Sequence, residues 1–255
     1  KYILSFNVAM DGSSRFGKKI DNSLTISGNK FAVLPSIAAA WLVSSEKFMK
    51  GSFVDLLKLR ASYGLSGNDD IGNYSARQTY ISQNLLGLEG LVRSGFANEK
   101  LQWEQVKKLN VGLDVAILNE RVNISVDAYQ NKIDKMLVYQ ATPAAAGSSA
   151  SFVVSNSGGM TTHGIEASLN ARVLNKTFKW DVGFNIAKSI SKVDKLPVNN
   201  ILTSFASATY ITQAGAVPNL FYGYRTNGVF ISDNIAAQEG LSIKKSDGTL
   251  IPFKG

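Results

Sequence analysis

The 255-residue chain contains no cysteine, a single histidine and only five prolines. Without cysteine, no disulfide can hold the fold and no thiol chemistry is available. Any Ser/His/Asp arrangement would depend on His163, and a hydrogen-bonded histidine at the entry to a strand is the simpler interpretation. Neither a phosphate-binding glycine loop nor the spacing of a nucleophile elbow occurs. The sequence therefore predicts no catalytic residues, no metal and no cofactor, and we do not expect an enzyme.

Long hydrophobic runs are also lacking: no stretch of 18 apolar residues occurs, which excludes a transmembrane helix. The 27 basic residues outnumber the 19 acidic ones, but they are scattered along the chain. Because no basic stripe alternates with aromatic residues, we expect no nucleic-acid partner. A membrane β-barrel is compatible with both observations, since its strands alternate in polarity and are hidden from hydropathy averages.

Alternation of apolar and polar residues is the main signal that is present. It is clearest from Gln105 to Ile117 and from Arg121 to Val138, where aliphatic side chains occupy every second position. A period of two residues indicates β-strands. Asn119-Glu120 between the arms predicts a two-residue hairpin turn. Strands this long, with one aliphatic and one polar face, are typical of the wall of a membrane barrel.

The predicted connections alternate in length. Short ones are expected near Ser45, Asn119 and Asn175, and the longer ones are at 11–29, 67–104, 139–160 and 193–218. An up-and-down sheet with short turns at one rim and long loops at the other produces this pattern. Under that topology, residues 67–104 contribute an even number of wall strands, possibly zero. The predicted fold class is an all-β, antiparallel, up-and-down transmembrane β-barrel wall of about eight to ten strands, which is part of a larger barrel.

Several motifs, in this order along nearly the whole chain, resemble the SusC/RagA family of TonB-linked outer-membrane transporters of Bacteroidetes-type bacteria. They are Asp11-Gly12-Ser13-Ser14-Arg15-Phe16-Gly17; Leu34-Pro35-Ser36-Ile37-Ala38 with Trp41; Leu57-Lys58-Leu59-Arg60-Ala61-Ser62-Tyr63-Gly64 with Gly67-Asn68; Leu101-Gln102-Trp103-Glu104; Leu109-Asn110-Val111-Gly112-Leu113-Asp114; Asn156-Ser157-Gly158 leading to Gly164-Ile165-Glu166; and Tyr222-Gly223-Tyr224-Arg225 with Gly228-Val229-Phe230. Each motif is weak by itself, but the ordered set is specific.

The resemblance implies a protein of the cell outer membrane that imports oligomeric nutrients, either glycans or peptides. It implies three kinds of partner besides membrane lipid: the TonB complex, a SusD-like surface lipoprotein and the oligosaccharide or peptide substrate. On this basis residues 1–255 are part of a β-barrel domain of the 22-stranded, plugged class. We expect them to be an internal piece, with the plug domain and the final strands of the barrel absent.

Ligand-contacting residues are harder to identify, and the resemblance assigns none. Asn68, Asp69 and Asp70 could offer oxygen ligands to Ca²⁺, but they lack EF-hand spacing and a solvated turn is the simpler interpretation. Tyr74, Tyr80 and Tyr139, in or near the long loops, could stack on sugars or belong to the aromatic girdle at the membrane interface. These six residues are the candidate substrate contacts.

Two other classes of protein remain open from the residues alone. One is a soluble β-sandwich that binds carbohydrate. The other is a glycoside hydrolase in which paired carboxylates such as Asp127 and Glu166 act on a glycosidic bond. Dependence on detergent would separate the barrel from both of them.

Overall fold

The computed structural model describes residues 1–21, 23–143, 152–226, 228–240 and 242–252. The chain divides into two compact units, one formed by Lys1–Thr203 and Ile211–Leu220 and the other by Ser204–Tyr210 and Phe221–Gly255. Within the described ranges, no helix has the length and apolar character needed to cross a membrane.

The first unit is built on one large antiparallel sheet with the strand order β1-β3-β4-β7-β8-β9-β10, and the short strand β2 pairs with β3. This sheet has eight strands, of which seven are long, whereas about eight to ten wall strands were expected. Its strands are β1 Tyr2–Gly12, β2 Ser23–Ile26, β3 Asn29–Leu42, β4 Val54–Asn68, β7 Glu104–Ile117, β8 Val122–Ala141, β9 Phe152–Asn175 and β10 Lys179–Lys195. We call the seven long strands the wall.

The remaining elements are short. β5 and β6 form a separate two-stranded hairpin, and β14 pairs with β15 in the second unit. The bounds are β5 Tyr80–Leu85, β6 Leu88–Arg93, β11 Asn200–Phe205, β12 Ala208–Gln213, β13 Leu220–Tyr222, α1 Asp233–Gln238, β14 Ser242–Lys244 and β15 Leu250–Pro252, with 3₁₀ turns at Val43–Ser45 and Lys47–Met49.

The short connections 43–53, 118–121 and 176–178 all lie at one edge of the wall, and the long connections lie at the other. We call these the short-turn rim and the long-loop rim. β4 pairs directly with β7, so the segment between them contributes no wall strand. Two predictions are therefore confirmed: short and long connections alternate between the two rims, and residues 67–104 contribute an even number of complete wall strands, namely zero.

Several sequence boundaries were wrong. The hairpin turn has four residues, Leu118 to Arg121, because Leu118, Asn119 and Glu120 all adopt positive φ. The loop expected at 139–160 is largely strand, and its centre, 144–151, falls outside the described residues. The loop expected at 193–218 contains the end of β10 and two further strands, β11 and β12. Of the last expected strand, 222–231, only Tyr222, the end of β13, lies in a strand among the described residues. His163 lies well inside β9 rather than at a strand entry.

The pairing register aligns the apolar residues of successive strands on one face of the wall. Leu113, for example, lies opposite Leu59 on one side and Val126 on the other. Aligned on this apolar face are Leu4, Phe6, Ile37, Trp41, Leu57, Leu59, Leu109, Val111, Val115, Ile124, Ile165, Leu169, Phe184 and Ile186. The rings of Tyr2 and Trp41 stack with centroids 5.9 Å apart at the short-turn rim, where an aromatic girdle belongs.

The opposite face carries polar side chains and, at the long-loop rim, the hydrophobic core. Ala32 and Leu34 alternate with Val33 and therefore lie on this face. They pack with loop residues into one cluster, whose buried members are Phe16, Ile20, Ala32, Ile71, Ala76, Leu101 and Trp103. Because the loops fold over the polar face and leave the apolar face bare, the polar face is the lumen side and the apolar face is the lipid side.

Candidate functional site

A charged cluster lies on the lumen face where β4, β7 and β8 run side by side. Arg60 donates from Nε and Nη2 to the two carboxylate oxygens of Asp114 at 2.8 and 2.9 Å, and from Nη2 to Asp127 at 3.0 Å. The Ser125 hydroxyl lies 2.9 Å from Asp114 and 3.2 Å from Arg60. Two-pronged binding of a carboxylate by arginine is strong and orients both groups. The cluster therefore ties three neighbouring strands together on the wet side of the wall.

Gly112 makes this arrangement possible. It lies in register between Arg60 on β4 and Asp127 on β8. A Cβ at this position would lie 2.5 Å from Asp127 Oδ1 and 2.7 Å from Arg60 Cζ. The missing side chain leaves the space through which the guanidinium group crosses β7 to reach the next strand.

The carboxylates considered for glycoside hydrolysis lie on the same face. Asp127 and Glu166 are directly opposite each other on β8 and β9, beside an open groove of about 330 Å³. Asp127 is held by Arg60, whereas Glu166 is exposed and makes no side-chain hydrogen bond within the described chain. His163 is likewise exposed and makes no side-chain hydrogen bond to the described residues.

At the long-loop rim, a layer of loops from segments 13–21, 69–79 and 94–103 covers the inner face of the wall. Leu101 is fully buried at its centre, and the rings of Phe16 and Trp103 meet with centroids 5.0 Å apart. Gly17 donates its backbone N–H to the Leu101 carbonyl at 3.0 Å. At the outside, Lys19 forms an ion pair with Glu99, and its hydrogen bond lowers the pKa of Glu99 below the usual value.

Asn156 attaches this layer to the wall. Its amide nitrogen donates to the carbonyls of Gln102 and Lys135 at 2.7 and 2.9 Å, and its amide oxygen accepts from the Gln102 N–H at 2.9 Å. Beside it, Glu104 accepts from the backbone N–H of Leu137 and from the Asn68 side chain, both at 2.8 Å. Two motifs that are more than fifty residues apart along the chain are thus connected by these hydrogen bonds.

In the turn formed by Asn68, Asp69 and Asp70, the first two residues make contacts that hold the loops in place. Asn68 binds Glu104, and its oxygen accepts from the Asp70 N–H at 3.2 Å. Arg15 donates to the Asp69 carbonyl at 2.9 Å and lies 3.7 Å from its carboxylate. The described residues contain no group of three or more His, Cys, Asp or Glu side chains able to hold a metal ion.

The three candidate tyrosines are in different environments. The Tyr74 ring is covered by Arg77, with 5.5 Å between the guanidinium carbon and the ring centroid. Tyr80 begins β5 and is 59% exposed, and Tyr139 near the end of β8 is 54% exposed. Tyr139 lies directly opposite Val154, which packs against the loop core. Tyr139 is therefore on the lumen side of the rim.

Sequence reasoning missed a basic cleft at the same rim. It has a volume of about 420 Å³, and its lining includes Lys18, Lys30 and Arg77 but no acidic residue. Phe16, Ile20 and Phe31 form its apolar part. The three cations come from separate parts of the chain, so no local sequence pattern indicates the cleft.

Taken together, long antiparallel strands, a bare apolar face, a charged inner face and loops gathered at one rim define a wall of an outer-membrane β-barrel. The sequence profile of the family described as TonB dependent receptor-like, beta-barrel matches residues 1–242. The chain belongs to this family, and its relatives place it with the SusC/RagA group in the outer membrane.

Two relatives illustrate the match. TonB-dependent receptor P3 of Formosa agariphila is 34% identical over 247 residues, which cover 92% of this chain and 24% of the relative. TonB-dependent receptor SusC of Bacteroides thetaiotaomicron is 27% identical over 263 residues, covering 96% of this chain and 25% of SusC. The chain thus spans about a quarter of the length of these relatives. Both are receptors rather than enzymes, in agreement with the prediction of no enzyme.

Solved structures give the same fold. The structure of the RagAB peptide transporter superposes with a TM-score of 0.73 at 26% identity, covering 86% of this chain and 23% of that one. The RagAB peptide importer in its closed-closed state superposes with a TM-score of 0.77 at 23% identity, covering all of this chain and 27% of that one. The transmembrane barrel fold predicted from the sequence is confirmed.

Proposed function

We propose that this chain forms part of the barrel wall of a TonB-dependent importer of oligomeric nutrients, glycans or peptides. The observation that carries the proposal is the pairing of a bare apolar face with an inner face that bears the charged cluster and the loop layer. Such a wall separates lipid from a polar passage. The matched SusC and RagAB proteins support this role.

The proposed partners follow from the same relatives. TonB would supply the energy, and a SusD-like surface lipoprotein would cover the long-loop rim. We also propose that a plug domain and the strands that close the barrel lie elsewhere in the protein. The wall supports this, because among the described strands its edge strands β1 and β10 each have a single neighbouring strand, and an unpaired edge in lipid costs several kcal/mol per backbone group.

Among the candidate substrate contacts, Tyr80 and Tyr139 are the residues we propose to touch the oligomer. Their rings are exposed near the long-loop rim, and aromatic faces bind sugars and peptide side chains. Asn68, Asp69 and Tyr74 instead hold the loops in place through Glu104, Arg15 and Arg77. Asp70 is exposed at the end of this turn and stays a candidate.

The test is growth of the native host on oligomeric substrates. Loss of the full-length protein should abolish growth on one class of oligomer, spare growth on its monomer and match the effect of losing TonB. Tyr80→Ala and Tyr139→Ala should raise the oligomer concentration needed for half-maximal growth, whereas Tyr63→Ala, on the lipid face, should not. Unchanged growth on every oligomer after loss of the protein would refute the proposal.

A further inference from the structure

A row of basic side chains crosses the lipid face near the long-loop rim. Lys107 on β7 pairs with Lys132 on β8, Lys132 pairs with Thr161 on β9, and Thr161 pairs with Lys192 on β10. Residues directly opposite each other share a face. At about 4.8 Å between strands, the row is roughly 14 Å wide. Over β7 to β10 the apolar face therefore ends in a row of three lysines, with Thr161 between Lys132 and Lys192.

The pairing register also fixes which way these lysines point. Lys107 is two residues from Leu109 and four from Val111, both exposed on the apolar face. Lys188 lies on the same face two rows below Lys192, level with Ile165. The neighbouring Lys108 and Asn131 belong to the lumen face. These four lysines are thus directed outward, away from the passage.

The height of the row matches the edge of the membrane. Ten residue steps separate Lys107 from Ile117, the last apolar-face residue of β7 at the short-turn rim. At about 3.4 Å per residue and a strand tilt of about 40°, this corresponds to a height of roughly 26 Å. The apolar band of such barrels is about 25 Å tall. Lys107 therefore lies at the level of the lipid headgroups, and the rest of the row, which runs at right angles to the tilted strands, spans about 9 Å of height around that level.

The acidic groups near the row do not cancel it. Lys107 forms an ion pair with Asp134 at 2.7 Å, and Lys132 lies 4.0 Å from the same carboxylate. Asp194 accepts a hydrogen bond from Thr161. The four lysines against these two carboxylates leave an excess of about two positive charges. Lys192 has no side-chain ion pair within the described residues, and His163, one row below, adds a polar group.

We propose that the lysine row, Lys107, Lys132 and Lys192 with Lys188 below it, binds the phosphate groups of a lipid in the outer leaflet of the membrane. The long loops of these barrels lie outside the cell, so the row meets the outer leaflet. A phosphate-bearing headgroup fits the excess charge, and its acyl chains would lie on the apolar face directly below. The site is separate from the passage for the nutrient.

The experiment uses the full-length protein purified in detergent and titrated with bis-phosphorylated lipid A or its dephosphorylated form, with binding followed by native mass spectrometry. Near a charged lipid surface each lysine contributes about 1 kcal/mol. K132Q/K192Q should therefore bind the phosphorylated lipid about 30-fold more weakly, which corresponds to about 2 kcal/mol. Binding of the dephosphorylated lipid should be weak in every variant.

The matched control is K108Q/K179Q, which removes the same charge from the lumen side of β7 and β10. It should bind like the wild type. Both variants should keep the folded mobility in unheated SDS electrophoresis, and both should import the oligomer, since neither pair lies at the proposed substrate contacts. Equal binding by K132Q/K192Q and the wild type, or equal weakening in the control, would overturn the proposal.

Discussion

The side chain of Asn156 binds the backbone of Gln102 at both ends of its amide, donating at 2.7 Å and accepting at 2.9 Å. The amide thereby joins β9 to a loop 54 residues earlier in the chain. A third bond, to the Lys135 carbonyl, reaches a non-glycine residue with φ of 56°. Three segments of the chain depend on this one side chain.

Asn156→Ala should release the loop layer from the wall. It removes three hydrogen bonds of about 1 kcal/mol each, so we expect a destabilisation of about 2–3 kcal/mol in the unfolding of the full-length protein. Faster hydrogen exchange across 94–103 should accompany it. Asn185→Ala is the control, since that side chain makes no hydrogen bond within the described chain. Unaltered exchange across 94–103 would contradict the assignment.

Gly17→Ala should disturb the same layer by a different route. A Cβ at Gly17 would lie 2.0 Å from the carbonyl oxygen of Glu99, and backbone cannot rotate away as a side chain can. We expect a cost of about 1–3 kcal/mol or more, measured by denaturant unfolding. Gly90→Ala, where the nearest atom lies 3.8 Å from the new Cβ, should be close to neutral. Equal stability of the two variants would show that the approach to Glu99 is not needed.

Arg60→Gln should loosen the wall on its lumen side. Without the guanidinium, Asp114 and Asp127 lose the cation that each now binds, and we expect about 1–3 kcal/mol of lost stability. Arg60→Lys should recover only part of it, because an ammonium group cannot bind both oxygens of Asp114 in one plane. Lys58→Gln is the control, since Lys58 makes a single 3.8 Å contact with Asp114. If that change costs as much as Arg60→Gln, the two-pronged geometry is irrelevant.

Leu113→Arg tests the assignment of the two faces. Leu113 lies near the middle of the apolar face, where an arginine costs about 2–4 kcal/mol in folding from urea into a bilayer. Asn110→Arg places the same group on the lumen face of the same strand and should cost little. If Asn110→Arg destabilises the protein more than Leu113→Arg does, the assignment of the lipid and lumen faces is wrong.

Period-two alternation predicted the wall strands well because each wall residue faces either lipid or water. An apolar side chain indicates the lipid face and a polar side chain the lumen face. The ends of the strands were harder. β8 and β9 continue through polar and glycine-containing residues that carry no alternation, and they remain strands because each has a partner in register. The turn after Ile117 has four residues because three of them adopt positive φ, and only one of these, Asn119, is a residue type enriched in that conformation.

For the candidate site, the sequence identified residues but not their roles. Asn68 and Asp69 were chosen for their oxygens, yet their partners Glu104 and Arg15 are remote in the chain. The basic cleft was missed for the same reason, since Lys18, Lys30 and Arg77 meet only when the loops fold together.

The sequence by itself determined the class of fold, the two faces of the wall, the alternation of rims and, through its ordered motifs, the family. These properties depend on local alternation and local motifs, each contained in a short stretch of chain. Only the tertiary structure decided that Arg60 bridges two carboxylates across Gly112, that Asn156 holds Gln102, and that Lys107, Lys132 and Lys192 stand in one row. Each of these depends on the register between strands that are distant in the chain, and register is a property of the assembled sheet.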